Sequence, residues 1–329
     1  MFAAKRKLKL RNGGVIETPL LLPSFSSKAI RNEEVKKIIK YIGPTITSEI
    51  LVSAYDLFYG DLKESQLSFA TAIFVDSGGY EASEDADLSE VGKESGKPKP
   101  WTQKNYMEAL TDGWKFKKPT ILVSYDSPYS KTTVEKQIAR GRKFFSKWPQ
   151  ANSTLLFKTE RRSDQLVNID AIIANKHHLK DFDIIAVTET ELGKSTLERM
   201  VNIAKLRQAL SSVELETPIH IFGSLDTIST PLYFIAGADI FDGLAWLRYA
   251  FCEGNTLYKH NYGAKKLGIS FEDFGVNGKT WHDNYFYLHR LKEEMNKFLL
   301  DESFRHFTFI GDVLEGCYTQ LKSSIKKGS

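Results

Sequence analysis

Short apolar runs rich in β-branched residues alternate along this sequence with longer amphipathic stretches, the pattern of βα units wound around a parallel sheet. The runs fall at residues 19–25, 45–50, 72–76, 120–126, 154–159, 183–188, 218–223 and 238–242. Eight such strands close a barrel, so the expected fold class is α/β, a (β/α)8 TIM barrel. Local signals agree with helices between the runs. Asn32 precedes Glu33-Glu34-Val35 as an N-cap, and Ser195 precedes Thr196-Leu197-Glu198 with an acid at the third position. Ahead of the first run, residues 5–10 and 15–22 flank Arg11-Asn12-Gly13-Gly14, which reads as a hairpin closing the barrel floor with its basic residues facing water. Residues 83–99 are polar and aperiodic and read as a surface insertion, a candidate lid.

The 329 residues, 42% hydrophobic, suffice for one barrel or two ordinary domains. No linker divides them, so residues 1–329 are read as a single barrel domain with a C-terminal extension from about residue 251, where a helical pattern resumes at 285–300. No stretch approaches the ~20 apolar residues that span a bilayer. Met1-Phe2-Ala3-Ala4 runs directly into Lys5-Arg6-Lys7, unlike a signal peptide, and a cytoplasmic protein without membrane contact is expected. Two cysteines, Cys252 and Cys317, provide no disulfide framework and no Cys-rich zinc module, so no cofactor and no structural metal are expected. A net charge of +4 does not diagnose nucleic-acid binding. Local clusters (Lys5 to Arg11; Lys136, Arg140, Arg142 and Lys143; Lys158, Arg161 and Arg162) read first as solvated charged faces.

Barrel chemistry sits at the C-terminal ends of the strands, so polar residues that end apolar runs are the candidates. Three carboxylates stand there, in Phe74-Val75-Asp76-Ser77-Gly78-Gly79-Tyr80, Val123-Ser124-Tyr125-Asp126-Ser127-Pro128 and Asp239-Ile240-Phe241-Asp242-Gly243. One such aspartate commonly only caps the next helix; three aimed at one mouth point to a site. Gly78 and Gly79 either admit a ligand to the backbone or make a tight turn. His220-Ile221-Phe222-Gly223-Ser224 adds a small-residue loop.

Thr18-Pro19-Leu20-Leu21-Leu22-Pro23, Asp76-Ser77-Gly78-Gly79-Tyr80, His220-Ile221-Phe222-Gly223 and Gly237-Ala238-Asp239-Ile240-Phe241-Asp242 occur in the order and approximate spacing of the motifs of the tRNA-guanine transglycosylase superfamily. The chain resembles that family over most of the barrel. The resemblance implies an enzyme, a pentosyltransferase that exchanges guanine in a nucleic acid for a 7-deazaguanine. It implies Asp242 as the nucleophile at ribose C1′ and Asp76 as the general acid/base, with two displacements retaining the anomeric configuration. By the same resemblance Asp126 reads the N–H edge of the base, Tyr80 and Phe222 sandwich its ring, and Ser77, Gly78, Gly79 and Gly223 line it. Ordinary core packing is the plain alternative for the two aromatics. Arg248 resembles an arginine that contacts the nucleic acid beside the reactive nucleotide; a surface salt bridge is its plain reading.

Three departures separate the chain from the tRNA enzymes. Their zinc site of three cysteines and a histidine is missing, and His260, His282, His289 and His306 make no recognisable mixed site with the cysteines. Val187-Thr188-Glu189-Thr190-Glu191-Leu192-Gly193 stands where a glycine-rich loop is expected; Glu189 either accepts N–H donors of the incoming base or is a solvated loop acid. Tyr249-Ala250-Phe251 replaces a second arginine after Arg248. These departures resemble the branch that modifies DNA, so the expected partners are DNA ahead of tRNA and a 7-deazaguanine base, with a homodimer or an accessory protein as a further partner. Two other classes stay open: a non-catalytic transglycosylase-like binding subunit, against which Asp76 and Asp242 both speak, and a metabolic barrel with a phosphate near Gly223 and Ser224.

Overall fold

A computed structural model describes residues 2–29, 34–83, 98–126 and 131–328 of the chain. The expected cap Asn32, nearly all of the polar insertion and the Ser127-Pro128 end of its block lie outside the described residues. The first strands, β1 (Lys7–Lys9) and β2 (Val15–Glu17), pair antiparallel as the expected hairpin. They are followed by β3 (Leu20–Phe25), β4 (Ile50–Ser53), β5 (Ile73–Asp76), β6 (Thr120–Val123), β7 (Asn152–Phe157), β8 (Ile184–Thr188), β9 (Ile219–Phe222) and β10 (Ile240–Gly243). These eight pair in parallel in the closed order β10-β3-β4-β5-β6-β7-β8-β9, a (β/α)8 barrel.

Successive side chains on a strand point to opposite faces, and the sequence uses this period of two consistently. Leu20 and Leu22, Leu51, Phe74, Ile121, Ile184 and Ile240 form one inner cluster. Their neighbours Leu21, Ile50, Val52, Ile73, Val75, Leu122 and Ile185 pack outward into the larger core. Leu8 and Leu10 of the hairpin join the inner cluster, so the hairpin plugs the barrel floor. Asn152 fixes it there: its Nδ2 donates to the Lys9 carbonyl (2.8 Å) and its Oδ1 accepts the Arg11 N–H (3.1 Å).

The basic residues beside the hairpin do not all face water, contrary to expectation. Arg6 is buried and pairs with Asp239 (2.7 Å), which also accepts from Arg207 and from the Ile219 N–H (2.7 Å). A buried guanidinium needs a carboxylate to offset its desolvation, and Asp239 serves two.

The outer layer comprises α1 (Val35–Ile42), α2 (Ala54–Tyr59), α3 (Gln103–Glu108), α4 (Val134–Phe145), α5 (Ile169–Ala174), α6 (Thr196–Ser211) and α7 (Ser229–Ile235). Ser195 caps α6 as expected, its hydroxyl accepting the Glu198 N–H at 3.2 Å. The second barrel strand is displaced from the expected 45–50 to Ile50–Ser53. Pro44 lies in a 3-10 turn over Gly43–Thr45, and the Thr47 N–H donates to Tyr285 Oη (2.7 Å), so neither segment is available to the sheet.

After β10 come α8 (Ala245–Arg248), the antiparallel pair β11 (Tyr249–Cys252) and β12 (Asn255–Tyr258), then α9 (Lys259–Lys266), α10 (Asp273–Asp301) and α11 (Gly311–Gly328). The helix expected from 285 thus begins at Asp273. Gly275 and Gly278 obscure its first turns in the sequence, and Gly278 is there because a Cβ would stand 2.5 Å from Tyr41 Oη on α1. Asn284 of α10 clamps the chain leaving the barrel: its amide donates to the carbonyls of Trp246 (2.6 Å) and Tyr249 (2.7 Å) and accepts the Phe251 N–H (2.7 Å).

Candidate active site

Asp242 is the penultimate residue of β10, on the inner face two residues after Ile240, and is buried at the mouth. Three donors converge on it. Oδ1 accepts from His220 Nε2 (3.0 Å) and the Gly223 N–H (3.3 Å), and Oδ2 from Ser24 Oγ (3.0 Å). Gly223 adopts φ +80°, the left-handed region that favours glycine, and this turn aims its N–H at the carboxylate. Sequence reasoning passed over His220 and Ser24. The signal was available: His220 shares a strand face with Phe222, as Ser24 does with Leu20 and Leu22. The imidazole is fully buried and stacks on Phe222 at 4.0 Å.

Asp76 ends β5 on the same inner face, two residues after Phe74. Burial, the charge of Glu81 and the charge of Asp242 raise its pKa to about 7, against the lowering influence of the Gly78 and Ser77 N–H groups. The Gly78 N–H donates to Oδ2 at 3.1 Å. Two carboxyl groups at one mouth, one clasped by three donors and one pushed up to neutrality, can divide the work of nucleophile and proton carrier.

Glu81 and Asp56 form a second acidic layer that no sequence motif singles out. Glu81 is buried and accepts the hydroxyls of Ser26 and Ser53 (2.7 Å for the latter). Asp56 is fully buried on α2, accepts the Ser27 N–H (2.8 Å), and is pushed up by burial and by Glu81.

The glycine loop is shaped by close approach. Gly78 has φ +81°, and a Cβ on it would meet Tyr55 Cβ at 2.8 Å; one on Gly79 would meet Asp126 Oδ2 at 3.1 Å. Ser77 is buried, its hydroxyl accepting the Asp126 N–H (3.2 Å) and its carbonyl the Trp101 indole N–H (2.9 Å). Ser77 and Gly79 therefore seat Asp126 beside the loop that carries Asp76. The Asp126 carboxylate pairs with Lys158 (3.4 Å) and Lys131 (3.8 Å).

The remaining expected residues are distributed as follows. Tyr80 is partly exposed, with the Lys28 ammonium 4.8 Å from its ring centre and the Arg248 guanidinium on its hydroxyl (3.0 Å). Arg248 also donates to the carbonyls of Lys28 (2.7 Å) and Ala29 (3.1 Å), tying the loop after β3 to the glycine loop. Glu189 is not a solvated loop acid: it is largely buried, accepts from Tyr233 Oη (2.7 Å) and Arg199 (3.0 Å), and burial pushes its carboxyl up. The Ser224 hydroxyl turns inward to the Ile221 carbonyl (2.8 Å), away from the role of a phosphate ligand.

Among the described residues no group of three or more His, Cys, Asp or Glu side chains is placed to hold a metal ion, and no helix is long and apolar enough to cross a membrane. The barrel and its rim define a class: an α/β barrel, a fold that commonly serves enzymes, with a carboxylate pair at the C-terminal mouth. No protein-family model matches the chain, and no curated protein matches it either. A finer assignment rests on the chemistry of the mouth.

Proposed function

We propose that the chain is a base-exchange transglycosylase that replaces guanine in a nucleic acid, DNA ahead of tRNA, with a 7-deazaguanine. The observation that carries this reading is the pairing of Asp242, oriented by His220, Gly223 and Ser24, with Asp76, raised to about 7, at one barrel mouth. In the first displacement an Asp242 oxygen bonds to ribose C1′ as the C1′–N9 bond breaks, and the departing guanine takes a proton from Asp76. In the second, the incoming base loses its N9 proton to Asp76, its N9 bonds to C1′, and Asp242 leaves. Two inversions restore the original configuration. A target inside a duplex must first leave its stack. DNA is preferred because the chain lacks the cysteine-based zinc module and the second arginine of the tRNA enzymes it resembles.

Trapping under denaturing conditions tests the reading. Wild-type protein mixed with guanine-containing single-stranded DNA is expected to give a shifted covalent band, and Asp242→Asn none. A band from Asp242→Asn removes the assigned nucleophile. Labelled-guanine release from DNA and from unmodified tRNA at matched salt decides the polymer; release from tRNA alone reverses the preference.

A further inference from the structure

Lys158 departs from the solvated basic cluster in which the sequence places it. Arg161 and Arg162 are exposed in the loop after β7, whereas Lys158 directly follows the strand and is largely buried. Leu156 packs inward beside Val123 and Ala186, so Lys158, two residues on, points to the inner face at the mouth. Gln137 of α4 fixes it from behind, its side-chain amide accepting the Lys158 N–H (2.9 Å) and donating to the Lys158 carbonyl (2.9 Å).

The ammonium meets three acceptors. Two are at hydrogen-bond length: Thr188 Oγ1 (3.1 Å), at the end of β8, and Glu191 Oε1 (3.0 Å), in the turn that follows. Thr188 is the register partner of Phe222, so this anchor borders the aromatic expected to stack on the base. The third acceptor, Asp126 Oδ2, lies at 3.4 Å, and Lys131 adds a cation 3.8 Å from Oδ1. These longer spans supply counter-charge and leave the Asp126 lone pairs open to another donor. Glu189 faces the other way, to Arg199 and Tyr233, so of the two acids in its turn Glu191 is the one tied to the mouth.

The electrostatics require the lysine. Burial raises the Glu191 carboxyl, Lys158 opposes that rise, and the charge of Asp126 adds to it. Without the ammonium, two carboxylates would share one buried site and hold a proton between them near neutral pH. A protonated Asp126 would present an O–H where an N–H edge needs an acceptor.

We propose that Lys158 is the positioning residue of the base site: anchored by Glu191 and Thr188, it keeps Asp126 a charged acceptor aimed at the N–H edge of the exchanging base. The identity of that base rests on the transglycosylase reading; the clip of lysine and two acids rests on the geometry.

Equilibrium dialysis of labelled guanine against the full chain, from about pH 6 to about 8, tests the role, with thermal melts confirming that each variant is folded. Lys158→Gln should bind guanine about tenfold more weakly than wild type at the acidic end, and the gap should narrow as pH rises and the shared proton leaves Asp126. Lys158→Gln/Glu191→Gln leaves a single carboxylate and should stay within about threefold of wild type throughout. A lysine that touched the base itself would instead lose affinity in both variants at every pH, and that result overturns the proposal. So does a single variant that matches wild type, or a wild type that binds no guanine. Should Lys158→Gln fail to fold, the double variant decides alone: wild-type affinity supports the positioning role and a tenfold loss rejects it. Incorporation of labelled guanine into single-stranded DNA separates the two ideas. Lys158-dependent guanine binding without incorporation sinks the transglycosylase reading alone, and incorporation whose guanine KM is unchanged in Lys158→Gln sinks the positioning role alone.

Discussion

Asp76 owes its raised pKa to position: burial and the charges of Glu81 and Asp242 oppose its ionisation, and the Gly78 and Ser77 N–H groups favour it without prevailing. In the proposed reaction the departing guanine needs the protonated form. Its release should therefore proceed below pH 7 and fall about tenfold per pH unit above it. Asp76→Asn should lower release by about 10²–10⁴ and remove that limb of the profile, while covalent capture of an activated substrate at Asp242 survives. A wild-type rate flat from pH 6 to about 9 would reject the assignment. Asp76 and Asp242 were legible in the sequence because each ends an apolar run. Glu81 was not, because it lies past the strand in a loop, and what buries it is the pair of hydroxyls from Ser26 and Ser53 on two other segments. Asp56 was hidden for a related reason: it looks like any acid in a helical first turn until the chain folds over it.

At the scale of elements, the block Gly237-Ala238-Asp239-Ile240-Phe241-Asp242 places two aspartates three residues apart, an odd spacing that separates their directions along an extended chain. Asp242 enters the mouth. Asp239 instead joins the N-terminal segment, α6 and β9 through Arg6, Arg207 and the Ile219 N–H. Arg207 and Asp239 are both buried, so removing the carboxylate takes from Arg207 the counter-charge it pairs with and leaves Arg6 with Glu216 (3.2 Å). Asp239→Ala should cost about 3–5 kcal/mol in denaturant unfolding without touching the mouth. A loss below about 1 kcal/mol would place the pair with weak surface bridges. Element boundaries were less legible than element order. The second barrel strand moved past Pro44, and α10 began before its apolar pattern because Gly278 is set by the approach of Tyr41 and not by helix propensity.

Across the whole molecule, the two ends of the barrel treat charge differently: the floor pairs the buried Arg6 and Arg207 with Asp239, and the mouth gathers Asp56, Glu81, Asp76 and Asp242 with neutral donors such as Ser24, Ser53 and the N–H groups of Ser27 and Gly78. Such a mouth stores electrostatic strain that varies with pH. Asp56 is raised by burial first and by Glu81 second, and its Oδ1 has no hydrogen-bond partner. A carboxyl whose folded pKa exceeds its unfolded value binds its proton more tightly when folded, so between those two values the native state holds more protons and stability falls as pH rises. Its contribution is fully present below the ordinary value of 3.8 and is lost as pH rises through the raised folded value. Asp56→Asn keeps an acceptor for the Ser27 N–H and removes the titration. The melting temperature of Asp56→Asn relative to wild type should therefore climb steadily from about pH 4 into the alkaline range, and it should do so at low and at high salt, since screening reaches buried groups weakly. A difference that stays constant with pH would show that Asp56 titrates alike in the folded and unfolded chains, and one that falls would reverse the sign assigned to its burial.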